Sequence, residues 1–301
     1  MSQAWSPEIV VTMDEARHLI EAQFPELAPV NIQELGKGFD NTVFKVNDDY
    51  VFRFPRKEIA VRLLNTENQL LPNLVNGLNI RIPEPIFFGK ETDSYNWPFT
   101  GYHLVKGTSP GQLSADIRNK SAAPLAHFLR KLHQFPIEMA EKLGVPYDWL
   151  ERTNIGKRMN PLIDNIKKAI QLQLIDEAET AFHWLDSIKD VHLDEQQTLV
   201  HGDCHIRNIL VDEIGVISGI IDWGDTHLGH PAIDLSIAYS FLTLQGREQF
   251  FGIYGNVSET TKTCARFFAL YVSVVLLLYG HDLQDAKLVA SAKESIKLSL
   301  S

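Results

Sequence analysis

The chain has 301 residues, 45% of them hydrophobic and 22% charged, with a formal net charge of −10. That composition excludes a disordered or fibrous chain, leaves room for two modest lobes with a large combined core, and argues against a nucleic-acid backbone as partner. Cys204 and Cys264 stand far apart without metal-knuckle or disulfide spacing, which fits a reducing cytoplasm. The N-terminus lacks a basic start followed by an apolar core, so no signal peptide is expected. The apolar run over residues 267–279 is too short to span a bilayer and reads as a buried helix. No membrane and no protein partner is implied.

In chain order, Thr12 and Glu15 make a capping box ahead of Ala16, Leu19, Ile20 and Phe24, which share one helical face and predict a helix over residues 13–24. Pro25 and Pro29 end it. Residues 32–35, 42–46 and 50–54 read as three strands of an antiparallel meander. The first connection carries Gly36 and Gly38, a pair that lets backbone amides approach a phosphate, although Asn41 stands where the kinase loop has its third glycine. Two glycines also serve tight β-turns, so this loop alone decides little.

Arg53 faces away from Phe52 and Phe54 in the third strand. Glu67 interrupts the apolar stripe of Ala60, Leu63, Leu64, Leu70, Leu71 and Leu74. A buried carboxylate needs a partner, and Arg53 is the candidate, in the manner of the strand cation and helix glutamate that position nucleotide phosphates in kinases. The cation here is Arg rather than Lys, a planar fork in place of a point charge, and Pro72 is expected to kink the helix or end it early. Residues 80–89 lead into a fourth strand and 99–105 form a fifth. Backbone groups of His103, Leu104 and Val105 could bond a purine, with Tyr102 walling the back of the pocket. The Gly/Ser/Pro-containing stretch 106–111 then marks a boundary, giving an N-terminal nucleotide-binding lobe over 1–105 and a C-terminal helical lobe over 106–301.

Helices follow over 122–133, within 155–188, over 233–244, 262–279 and 283–298. His133 and His183 read as packed or surface histidines. Between the helices lies LVHGDCHIRNILVDEIGVISGIID, two Ile/Val runs flanking a turn at 212–215, which predicts a β-hairpin whose outer ends meet. Asp203, Asn208 and Asp222 converge there. The order Asp, Asn five residues on, a strand pair, then Asp-aromatic-Gly repeats the pattern of a kinase catalytic loop and metal-binding Asp. Phosphoryl transfer needs one carboxylate, Asp203, to orient and deprotonate a hydroxyl, and separate oxygens, from Asn208 and Asp222, to hold Mg²⁺ against the phosphates.

With these parts in this order the chain resembles the aminoglycoside phosphotransferase family, which shares the protein-kinase-like fold. The likeness covers nearly the whole chain and is strongest in LVHGDCHIRNILVD, SGIIDWGD and YVFRFP. The N-terminal lobe is similar to the aminoglycoside 2''-phosphotransferases, and HGDCHIRN with SGIIDWGD and HPAIDL to the macrolide phosphotransferases. The resemblance implies an α+β, two-lobed fold with a small antiparallel β lobe and a larger, mainly helical one. It also implies ATP or GTP as donor, Mg²⁺, a catalytic Asp203, and a hydroxyl acceptor that is antibiotic-like. A bulky Tyr102 at the nucleotide-filtering position puts GTP beside ATP.

Few residues separate Asp222-Trp223-Gly224 from the next helix, too few for the activation segment of a protein kinase, and Gly202 stands where that segment's phosphate-reading Arg would be. Constitutive activity on a small molecule follows. For the acceptor, Asp225, Tyr239 and Glu248 are candidates. The stretch YSFLTLQGREQFFGIYG is dominated by aromatic and aliphatic residues, which suit an apolar or mixed acceptor unless they are helix core. Three alternatives stay open: a kinase of a metabolite alcohol in the same family, a metal-dependent hydrolase built on His201, Asp203, His205, Asp222, His227 and His230, and a catalytically silent nucleotide-binding protein.

Overall fold

A computed structural model describes residues 8–37, 40–176, 178–189, 191 and 193–301. Two compact units divide it, one of Met1–Gly77 with Arg81–Val105 and the other of Leu78–Ile80 with Lys106–Ser301.

The first unit begins with α1 (Met13–Gln23), whose capping box forms as the sequence requires. Glu15 N–H donates to Thr12 Oγ1 and the Thr12 amide donates back to Glu15. Strands β1 (Ile32–Lys37), β2 (Asn41–Val46) and β3 (Tyr50–Pro55) are the expected meander. Asn47 and Asp48, both at positive φ, turn β2 into β3. Those are the residue types that tolerate the left-handed region, and the Asn47 amide also anchors the turn to Leu27 and Asn31. After α2 (Glu58–Leu74) come β4 (Pro85–Gly89) and β5 (Phe99–His103), completing an antiparallel sheet of order β1-β2-β3-β5-β4. Alternation along β2 and β3 sends Phe44, Phe52 and Phe54 to one face, where Phe54 stacks on Phe99 at 4.5 Å and α1 closes the core. Of the two effects expected of Pro72, a kink or an early end, the second does not occur. The helix runs two residues further, because a proline so close to the C-terminus removes one ladder bond while Leu70, Leu71 and Leu74 stay buried.

The second unit is mainly helical: α3 (Ala115–Lys120), α4 (Ala122–His133), α5 (Ile137–Lys142), α6 (Ile155–Gln171) and α7 (Ala178–Ser187) precede four short strands. These are β6 (Thr198–Val200), β7 (Ile209–Val211), β8 (Ile217–Ile220) and β9 (His227–Gly229), with β7 pairing β8 as the expected hairpin and β6 pairing β9. Helices α8 (Ala232–Phe241), α9 (Leu244–Tyr254), α10 (Glu259–Asp282) and α11 (Ala286–Leu300) complete it. The expected helix over 233–244 stops at Phe241, because Thr243 caps a separate helix, α9, through its hydroxyl. The apolar run at 267–279 belongs to a 24-residue helix, long and apolar enough by length and composition to cross a membrane. Here it packs against α6, α8 and α11, with two-thirds of its most apolar window buried. Every residue of α8 is buried as well.

Candidate active site

Two groups of side chains gather, one in each unit. In the first, Arg53 Nη1 reaches both carboxylate oxygens of Glu67, at 2.9 and 3.0 Å. Strand alternation points Arg53 away from the phenylalanine core, and the helical period brings Glu67 to meet it. Glu67 is only 3% exposed, so this charge is compensated rather than solvated. Tyr102, fully buried in β5, donates its hydroxyl to Glu67 Oε2 at 3.2 Å. Burial and the neighbouring Glu67 push that phenol well above its ordinary range, so it stays a donor. In the segment after it, the His103 amide donates to Glu84 O and the Leu104 amide to Asp49 O. Among the described residues, the Val105 amide has no backbone partner. Gly36 sits at a bulge in β1, where an added Cβ would meet nothing within 4 Å among the described residues. Gly38 lies outside the described residues.

In the second unit the hairpin β7–β8 joins the two ends of the motif. Asn208 donates from Nδ2 to the carbonyl and to Oδ2 of Asp203, at 2.9 and 2.8 Å, and the Ile221 amide donates to Asn208 O at 2.8 Å. Asp203, Asn208 and the residue before Asp222 are thus tied together, and Asp222 itself takes a left-handed φ of 64°. With Nδ2 facing Asp203, Asn208 keeps its amide oxygen for another partner. His201 clamps the same two ends, its Nδ1 accepting the Asp203 amide at 3.3 Å and its Nε2 meeting Ile221 O at 3.1 Å. His205 Nε2 lies 3.2 Å from Asp203 Oδ1. Burial would raise the Asp203 carboxyl, but His205, His201 and Asn208 outweigh it and hold the group below its ordinary value, so it is ionised.

Beneath this loop lies Asp234, a fully buried carboxylate. Its Oδ2 accepts the His201 amide at 2.7 Å and lies 3.2 Å from His133 Nε2, and its Oδ1 accepts the Gly202 amide at 2.9 Å. Gly202 has φ 84°, and a Cβ there would sit 2.3 Å from the Asp225 carbonyl, so only glycine fits. The β6–β9 pairing, with Val200 opposite His227, creates that close approach.

Of the acceptor candidates, Asp225 is the one tied to the Asp203 loop, and its carboxylate pairs with Arg152 Nη2 at 2.6 Å. Tyr239 is buried beneath the Arg247 guanidinium, with Phe241, Leu242 and Phe250 also in the core, so most of the aromatic stretch is packing. Glu248 is exposed on α9. Sequence reading missed Arg152 and Asp148. Their i,i+4 spacing was visible, but nothing local tied them to Asp225. Among the described residues no group of three or more His, Cys, Asp and Glu is placed to hold a metal, which removes the transition-metal constellation behind the hydrolase reading. His201 and His205 spend their ring nitrogens on the loop instead, and His230 on Asp194 and the Ala232 amide.

Moving a phosphoryl group to an alcohol takes an ionised carboxylate beside oxygen ligands and a cation positioned for phosphates. The fold belongs to that class, phosphotransferases with a hydroxyl acceptor. The chain belongs to the phosphotransferase enzyme family, whose sequence model matches residues 31–268. Among solved structures it is similar to the GDP complex of wild-type aminoglycoside 2'-phosphotransferase-IIIa, at 27% identity and TM-score 0.68 over 96% of this chain and 99% of that one. It is also similar to a GDP and kanamycin complex of an APH(2") enzyme, at 28% identity and TM-score 0.65 over 94% and 97%. The macrolide 2'-phosphotransferase MphH of Brachybacterium faecium shares the fold, at 19% identity and TM-score 0.60 over 94% and 98%.

Proposed function

We propose that this chain is a small-molecule kinase that transfers the γ-phosphate of ATP or GTP to a hydroxyl of an antibiotic-like acceptor, an aminoglycoside or a macrolide. The observation that carries the reading is the Asp203–Asn208 pair held at one end of a hairpin whose other end is Asp222. In this reading Asp203 accepts the hydroxyl proton as the acceptor oxygen attacks. Asn208 and Asp222 would hold Mg²⁺; an amide oxygen and a carboxylate are the hard ligands that ion prefers, and bound there it would neutralise the charge on the transferring phosphate. Arg53, fixed by Glu67, supplies a fork for the α- and β-phosphates, and the open space at Gly36 lets backbone amides approach them. The Val105 amide is the donor left for the base, with Tyr102 behind it. Residues 1–105 would bind nucleotide and 106–301 carry the catalytic and acceptor groups. Unpaired, buried Cys204 and Cys264 and a nucleoside triphosphate donor suit the cytoplasm.

The relatives that bind GDP, alone and with kanamycin, support a nucleotide donor and an aminoglycoside acceptor, and the shared fold of the macrolide enzyme supports the second acceptor class. The test is nucleoside diphosphate release from ATP and from GTP with Mg²⁺, against aminoglycosides, macrolides and simple metabolite alcohols. Release stimulated by an antibiotic and abolished in Asp203→Asn is the expected result. Stimulation by a metabolite alcohol alone would transfer the enzyme to that substrate class, and nucleotide binding with no Asp203-dependent turnover would mark a silent binding protein.

A further inference from the structure

Asp225 follows Asp222 by three residues, and its carbonyl packs so tightly on Gly202 that no side chain fits between them. Asp203 is the next residue. Asp225 thus flanks the loop that carries Asp203, and its side chain is a half-exposed carboxylate of the kind that binds ammonium groups. One of its oxygens is already taken. Arg152 Nη2 donates to Asp225 Oδ1 at 2.6 Å, and Arg152 is no wandering surface side chain, being 16% exposed. Its Nη1 donates to Asp148 Oδ1 at 3.0 Å and its amide to Asp148 Oδ2 at 2.6 Å. The Asp148 amide in turn donates to Leu228 O at 3.0 Å, and the Leu228 amide to Pro146 O at 2.7 Å, which stitches this turn to β9. A guanidinium held by two carboxylates on a fixed turn is a strong competitor for an incoming ammonium.

An independent feature of the same turn concerns shape. Trp149 is 76% exposed although its amide is fixed to Tyr147 O at 2.8 Å, and Leu150 beside it is also exposed. Trp149 thus stands on the turn that holds Arg152, next in the chain to the Asp148 that pairs with that arginine, and offers an apolar ring of the size that ligands stack on.

We infer that Arg152 occupies, from within the chain, the carboxylate that would otherwise bind an ammonium group of the acceptor. The site thereby selects a hydroxyl-bearing acceptor with at most one positive charge and an apolar face that rests on Trp149. This deepens the proposed phosphotransfer and rests on it for the word acceptor. Arg152 and Trp149 set specificity and take no part in bond making.

Binding without turnover separates this inference from the reading of function. The full chain is titrated calorimetrically with kanamycin, which carries several ammonium groups, and with a monocationic macrolide such as erythromycin. The wild type is expected to bind the macrolide more tightly. Arg152→Gln frees Asp225 and should strengthen kanamycin binding about fivefold, the scale of one partly exposed ion pair. Adding Asp225→Asn should remove that gain. Trp149→Ala should weaken macrolide binding about tenfold. Should Arg152→Gln melt early because Asp148 is left buried and unpaired, Asp148→Asn/Arg152→Gln keeps the turn neutral and carries the same test. Tighter kanamycin than macrolide binding by the wild type, or no gain in a variant that melts like it, overturns the inference. Failure of every acceptor to be phosphorylated would instead overturn the reading of function, and leaves the binding result to judge Arg152.

Discussion

His205 points Nε2 at Oδ1 of Asp203, 3.2 Å away, while the Arg207 amide donates to its Nδ1 at 3.3 Å. With Nδ1 accepting, the ring proton sits on Nε2 and is donated to the carboxylate. His205 therefore holds one oxygen of Asp203 as Asn208 holds the other. His205→Ala should lower kcat about tenfold or more with little change in KM, the scale of one hydrogen bond to a charge. His205→Gln, which keeps a donor at the same reach, should restore most of it. Steady-state kinetics of the two variants check this, and a Gln variant as slow as the Ala variant would mean the ring does more than donate.

The Arg53–Glu67 pair is buried, so breaking it leaves an uncompensated charge. Glu67→Ala should cost about 3 kcal/mol of stability by urea unfolding and raise the KM for nucleotide, with Arg53→Lys milder in both because charge survives while the fork is lost. Unchanged unfolding and KM in Glu67→Ala would make the pair incidental.

Tyr102 is pinned by its own hydroxyl on Glu67, so its ring stays in place, and in the proposed reading it would crowd the amino group of adenine. Tyr102→Ala should shift the ratio of kcat/KM for ATP over GTP upward by about tenfold, a change of the size one pocket contact gives. Competition between the two nucleotides at fixed acceptor measures it, and an unmoved ratio would take nucleotide choice away from this residue.

Asp234 gives a pH dependence. Burial would raise its carboxyl, yet the bond from His133, the charges nearby and the Gly202 amide together hold it below its ordinary value. A carboxylate depressed by folding binds fewer protons folded than unfolded. It therefore adds stability above the unfolded value of about 3.9, lost as pH falls through the lower folded one. Melting at pH 7 and at pH 3 should show a large acid loss in the wild type and a smaller one in Asp234→Asn, which starts less stable. Parallel losses in both would assign acid sensitivity elsewhere.

Local patterns carried much of this architecture. The capping box at Thr12 and Glu15, the alternation through Phe52, Arg53 and Phe54, and the paired Ile/Val runs around residues 212–215 each state their element within a few residues, because helix and strand periods are short-range properties. Helix α9 was not legible. The break from α8 depends on Thr243, whose hydroxyl caps the new helix and also reaches Asn119, a residue of α3. The aromatic residues around it read equally as a lining for a ligand or as helix core and are largely core, a choice composition cannot make when neighbouring helices cover both faces.

What the sequence determined by itself was which residues must meet if the chemistry is to work: Asp203 with Asn208 across one loop, and Arg53 with Glu67 across one strand and one helix. Those encounters follow from periodicity and from the cost of burying an unpaired charge. Only the tertiary structure decided what neutralises Asp225. Arg152 is 73 residues away along the chain and reaches that carboxylate because the turn at 146–152 is hydrogen-bonded to β9, a pairing between segments with no local signal. Long-range ion pairs of this kind depend on where two backbones are brought together, and that is settled by the packing of the whole unit.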